Sequence, residues 1–420
     1  MRRPLRTALL ALAAFGLATA CIPIARPGAW HQQGLLTSVS HVEALVALPD
    51  GRAFVIGDGL AAVYNPAAGA WSAATSPPES LVAPAVVALP DGRVLVFGGR
   101  TAADQANGQA WLYSPTRDRW ERTGALTTPR DGAAATLLSD GRVLAAGGVG
   151  AGNAGLTSAE IFEPSSGRWT ATGSMAAPRY DPSVAVAGDG RVVVINGWRV
   201  YDPANRFGGN FPVSDVEAFD PRSGRWSALP KLPLDLVQVR FLTLKDGRLI
   251  GLGGVDPQPF RLSAVQVFDP ATDSWRQLAP MTGSSGNVEA VTLDDGRVLV
   301  IRGGQATFNA GFRIATAGGE VYDPDADLWL PITNLPRFSA LKFVRLAGGS
   351  VLAVGFRTGS GSADPGSENG LTTAVWDPGG YPQLPGAEGP LASGSVAAGA
   401  AVAVVILTLV LLGARLRSRR

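Results

Sequence analysis

The chain is short of three things. It carries one cysteine, Cys21, in 420 residues, so no intrachain disulfide can form. It carries two histidines, His31 and His41, too few for the several Cys or His ligands that a zinc site usually takes. The same shortage argues against a type 1 or type 2 copper site. No metal and no cofactor are expected. Charged residues are also scarce, at 17% with a net charge of +2. Most arginines stand singly beside turns, so no basic stripe for nucleic acid is present. What the chain has instead is 53 Gly, 31 Pro and 46% apolar residues. That mixture argues for many short strands joined by turns rather than long helices.

The strands repeat. "LPDGRAFVIGDG" at 48–59 returns as "LPDGRVLVFGG" at 89–99, "LSDGRVLAAGG" at 138–148 and "GDGRVVVINGW" at 188–198. It returns again as "LKDGRLIGLGG" at 244–254, "LDDGRVLVIRGG" at 293–304 and, degraded, "LAGGSVLAVGF" at 346–356. Each copy is an apolar run, Asp-Gly, and a second apolar run. Asp-Gly predicts a two-residue type I′ hairpin with φ > 0 at both central residues.

A second element follows each hairpin, as in "AVYNPAAGAW", "EIFEPSSGRW" and "QVFDPATDSW". Here Trp stands five residues after Pro: Pro66 to Trp71, Pro115 to Trp120, Pro164 to Trp169, Pro221 to Trp226, Pro270 to Trp275, Pro324 to Trp329. This predicts a third strand, a tight turn and a fourth strand. From each Trp to the Asp of the next hairpin is 20 residues, and Trp30 to Asp50 is also 20. Trp30 therefore belongs to a fourth strand whose first three are missing from the front of the chain. At the back, "AVWDPGG" at 374–380 is a third strand with no Trp five residues after Pro378. The front completes the back.

Seven such units resemble kelch repeats over residues 30–378, through the paired Gly, the third-strand aromatic and the fourth-strand Trp. The resemblance implies an all-β fold, a seven-bladed β-propeller of four-stranded blades. Strands are lettered A to D from the axis outward. Strand D of the last blade is expected from 30–37 and its strands A to C from 339–378. The A–B and C–D turns then share one face, and the B–C and D–A loops the other. The wider group includes galactose-oxidase-like enzymes and sialic-acid mutarotases. The copper chemistry of the former needs histidine ligands and a cysteine linked to tyrosine, and the body of this chain has two histidines near its start and no cysteine.

Both termini read as membrane addresses. Residues 1–20 have Arg2, Arg3 and Arg6, an apolar run and Ala18-Thr19-Ala20, the layout of a signal peptide. Cys21 stands where a bacterial lipoprotein signal has its lipidated cysteine, although such signals usually have Leu where Ala18 stands. Residues 391–413 are uncharged and long enough to span a bilayer as a C-terminal transmembrane helix. A linker, 379–390, precedes this span, and an Arg-rich tail, 414–420, follows it. Positive charge stays on the cytoplasmic side. The expectation is a monomer anchored in a bacterial cytoplasmic membrane, its propeller outside and its C-terminus inside.

The B–C loops vary, and variable loops on a rigid scaffold commonly bind. Several combine aromatics with arginine, the residues of binding hot spots: Trp198, Tyr201, Arg206, Phe207 and Phe211, then Phe260 with Arg261, then Phe312 with Arg313. The expected function is a non-enzymatic module binding a protein or glycan. The alternative is a carbohydrate-active enzyme of the mutarotase or epimerase kind, using acids near the starts of innermost strands: Glu43, Asp131, Asp181 and Glu289. Arg130, Arg179 and Arg337 in the D–A loops are expected to brace blades, with the funnel mouth as their alternative role.

Overall fold

The computed structural model describes residues 29–36, 42–79, 81–199, 211–234, 236, 239–254, 263–283, 287–303, 318–332, 335, 338–357 and 371–378. The signal segment 1–20, Cys21, the linker 379–390, the span 391–413 and the tail 414–420 lie outside them. Among the described residues no helix is long and apolar enough to cross a membrane. The propeller falls within one compact unit, Pro27–Gly379.

Seven four-stranded antiparallel sheets follow one another along the chain. Blade 1 runs Ala44–Ala47, Ala53–Gly57, Leu60–Asn65 and Ala70–Ala74. Blades 2 to 6 begin their strand A at Ala85, Ala134, Ser183, Arg240 and Asn287. Blade 7 takes Phe338–Arg345, Val351–Arg357 and Leu371–Asp377 from the end of the chain and Ala29–Leu36 from its beginning. In that sheet Trp30 stands opposite Trp376, and Ala29 opposite Asp377. The innermost strands touch in ring order, blade 7 against blade 1 included. The ring closes as the Trp spacing predicts, and no blade is left half covered.

The core is distributed rather than central. Strand B is buried along its length in blades 1 to 5, because it has a neighbour on both sides within its sheet and a blade on both faces. Among the described residues seven apolar clusters form, one at each blade interface. The third-strand aromatic and fourth-strand Trp are register partners, as in Tyr64 with Trp71 and Phe162 with Trp169. Their ring centroids lie 5.2 and 5.1 Å apart. The indole N–H then reaches back to the preceding blade. Trp120 donates to Thr75 O, Trp226 to Gly173 O, Trp275 to Pro230 O and Trp329 to Ala279 O, each at 2.8 Å.

The hairpin turns differ from the type I′ expectation. Leu48 N–H donates to Arg52 O and Gly51 N–H to Leu48 O, which closes a three-residue loop with a bulge at the glycine. Only the glycine takes positive φ, +89° at Gly51. The reason is the aspartate side chain. Asp50 accepts the Arg52 amide at 3.1 Å and pairs with its guanidinium at 2.7 Å, so local side-chain bonding holds Asp on the ordinary side of φ. The same Asp-to-amide bond recurs at Arg93, Arg142, Arg191, Arg248 and Arg297. In blades 2 to 4 the arginine also reaches the next blade's C–D turn. Arg93 donates to Pro164 O at 3.2 Å, Arg142 to Pro221 O at 3.1 Å and Arg191 to Pro270 O at 3.0 Å. The Asp-Gly-Arg motif is thus both a turn and an inter-blade tie.

Candidate functional site

The A–B turn face spends its charge internally, on those Asp–Arg pairs. The opposite face carries the mouth of the ring, where the seven innermost strands begin. There Arg130 and Arg179 act as braces, as expected. Both are fully buried. Arg130 donates to Gly147 O at 2.8 Å, Ser158 O at 3.0 Å and the Glu160 carboxylate at 2.8 Å. Arg179 does the same with Asn196 O, Asp215 O and Glu217, at 3.2, 2.6 and 2.7 Å. Blade 6 reaches the same end by another route, with Arg302 of strand B on the buried Glu320 at 2.7 Å. Arg337 lies outside the described residues.

The third-strand carboxylates were the missed half of these pairs. Glu160, Glu217 and Glu320 each stand two residues before the strand's aromatic, Phe162, Phe219 and Tyr322, a position that the repeat alone makes visible. Besides its arginine, Glu160 accepts the amides of Thr127 and Thr128 at 2.8 and 3.0 Å. It therefore ties the D–A loop to strand C.

The four acids singled out from the sequence part company. Glu43 accepts the Ala83 amide at 3.0 Å, a link between neighbouring blades. Asp131 is buried, with the Arg100 guanidinium 3.7 Å away. Glu289 lies between Arg240 of blade 5, at 3.9 Å, and Lys342 of blade 7, at 3.6 Å. Asp181, in the D–A loop of blade 4, has φ +51°. It is crowded by protein yet reaches solvent, as a group in a concave mouth does. That crowding pushes its carboxyl above the usual aspartate range, against a weaker downward pull from Lys342. Tyr180 beside it is pushed up by burial and by the Asp181 charge.

A raised folded-state pKa means that the ionised Asp181 side chain costs stability. The cost is absent below the ordinary aspartate range and complete once pH has risen through the folded value. Asp181→Asn is therefore expected to raise the melting temperature at pH 7 and to leave it unchanged near pH 3. An equal shift at both pH values would show that the carboxylate charge is not the cause.

Of the predicted loop cluster, Trp198 is half-buried and joined to the mouth: its N–H and C=O pair with those of Tyr180 at 2.8 Å each. Trp198 and Arg199 form a two-residue ribbon with Phe211 and Pro212. Tyr201, Arg206, Phe207, Phe260, Arg261, Phe312 and Arg313 lie outside the described residues. Arg240 and Lys342 at the mouth were not anticipated.

The comparisons agree with this architecture. The family model described as "Kelch motif" matches residues 179–233 and 245–282, which begin in the D–A loop of blade 4 and run through blade 5. No curated protein matches the chain. One solved structure that resembles it is described as a novel fungal alcohol oxidase with catalytic diversity among the AA5 family, in complex with copper. The TM-score is 0.62 at 15% identity, covering 84% of this chain and 76% of that one. Another is the structure of YjhT, with a TM-score of 0.52 at 14% identity, covering 71% of this chain and 99% of that one. At such identities the likeness concerns the fold. His31 is exposed on the outermost strand of blade 7, and among the described residues no three of His, Cys, Asp or Glu stand close enough to share a metal. From its ring of blades the chain is a seven-bladed β-propeller, and its fourth and fifth blades carry kelch motifs.

Proposed function

We propose that the chain is an extracytoplasmic, membrane-anchored binding module that holds a protein or glycan on the face carrying the B–C loops. The observation that carries this reading is the asymmetry of the two faces. The A–B turns are short, alike and closed upon themselves by Asp–Arg pairs such as Arg52–Asp50 and Arg142–Asp140. The other face has loops of unequal length, and Trp198 stands half-buried at its mouth. Rigid blades with variable loops suit recognition. The ends of the propeller, Ala29 and Asp377, are partners at the turn face. An anchor at 391–413 would thus favour the loop face looking away from the membrane.

A glycan array and a pull-down with the full chain test this. A specific ligand is expected, with binding reduced about tenfold or more in the double variant Trp198→Ala, Phe312→Ala, as loss of hot-spot aromatics implies. Unchanged binding in that variant would remove these loops from the site. Asp181 favours a second reading, a carbohydrate-active enzyme with acids in the mouth, since a carboxyl raised above its usual range by burial suits proton transfer. Turnover of a sugar anomer abolished by Asp181→Asn would select that reading.

A further inference from the structure

The position six residues before each hairpin aspartate is the same place on every inner strand. Counted from Asp50, Asp91, Asp140, Asp189, Asp246, Asp295 and the equivalent Gly348, it holds Ala44, Ala85, Ala134, Ser183, Arg240, Glu289 and Lys342. One layer of the ring thus has small residues on blades 1 to 4 and three charged ones on blades 5 to 7.

The three charges pair with one another only loosely. Elsewhere in this molecule ion pairs close to hydrogen-bond length: Arg130–Glu160 at 2.8 Å, Arg179–Glu217 and Arg302–Glu320 at 2.7 Å. Here Glu289 stands 3.9 Å from Arg240 and 3.6 Å from Lys342, beyond that length on both sides. Among the described residues no hydrogen bond reaches any of the three side chains. They are not sealed off either, being 45%, 25% and 44% exposed for Arg240, Glu289 and Lys342. Two cations flank one carboxylate at ion-pair distance, with none of the three in a close hydrogen bond. That donor and acceptor set matches an anionic group whose neighbouring atom carries a proton to donate.

We propose that this arc of Arg240, Glu289 and Lys342 is an axial binding site for a small anion bearing an adjacent hydroxyl or ammonium group. Arg240 and Lys342 hold the anion, and Glu289 accepts from the neighbouring donor. The site uses no B–C loop residue, so its failure leaves that reading untouched.

The test is saturation-transfer NMR titration of the full chain with acetate, glycolate and glycine. Glycolate or glycine is expected to bind about tenfold more tightly than acetate, the scale of one hydrogen bond to a charged group. The better of the two identifies the donor as hydroxyl or ammonium. The double variant Arg240→Ala, Lys342→Ala is expected to lose both by tenfold or more, and Arg240→Lys, Lys342→Arg to keep them. Glu289→Gln should erase the advantage over acetate. Melting curves of every variant separate loss of the site from loss of the fold, and Glu289→Gln alone carries the test if the double variant does not fold. Equal affinity for all three probes, no binding of any, or binding retained without both cations would each overturn the proposal.

Discussion

A chain that starts at residue 38 is expected to melt several degrees below one that starts at residue 27, and to recover when a peptide spanning 27–38 is added. The first chain lacks strand D of blade 7. Its third strand then becomes an edge, and Trp376, fully buried in the complete ring, loses the cover of Trp30, whose ring centroid lies 6.4 Å from its own. Uncovering so large a side chain costs several kcal/mol, and each kcal/mol moves the melting temperature by about 1 °C in a chain of nearly 400 residues, at roughly 2.1 cal/mol/K of unfolding entropy per residue. The exposed edge should also promote self-association. Superimposable melting curves would show that closure by this strand adds nothing to stability. Recovery with the peptide separates closure from any general effect of shortening the chain.

The second large effect is expected at Arg130. Arg130→Met leaves Glu160 buried without its cation, a change that typically costs about 3–5 kcal/mol. Adding Glu160→Gln should return part of that, because the amide oxygen still accepts from Thr127 and Thr128 while the orphaned charge disappears. Urea midpoints report both. A double variant no more stable than the single one would place the loss in the guanidinium's bonds to Gly147 O and Ser158 O instead. The pair also gives a pH dependence. Burial pushes the Glu160 carboxyl upward, but the Thr127 and Thr128 amides and the Arg130 guanidinium outweigh it and hold it below the usual range. Its contribution is therefore complete above the ordinary glutamate range and is lost as pH falls through the lowered folded value. Wild type should lose more stability than Glu160→Gln on acidification.

Much of the fold can be read in residue spacing, and the reason is physical. Trp and Asp sit 20 residues apart because both are fixed to strand ends, and strand lengths cannot drift without breaking register. That one interval placed Trp30 in the last blade, opposite Trp376. The turn type was misread because the decisive contact is a side chain on an amide, Asp50 to Arg52, which the Asp-Gly pair does not announce. The braces were half legible. Arg130 and Arg179 stand out as lone arginines, but their carboxylates lie 30 and 38 residues on and meet them only once strand C is in place. Glu289 was read as an acid, but Arg240 and Lys342 beside it escaped notice because a search for shared acids ignores a position that changes sign from blade to blade. Aligning the repeats on the turn aspartate brings the three into one column. The aromatic loops belong to another class: nothing in the repeat dictates their conformation, so spacing says little about which of their side chains converge.

The pairing of Ala29 with Asp377 has a mechanical meaning. Tension applied at these two points meets the outermost ladder of blade 7 end-on, so it would unzip hydrogen bonds one after another rather than shear them together. The ring should therefore peel open at low force along one seam while the other six blades stay folded.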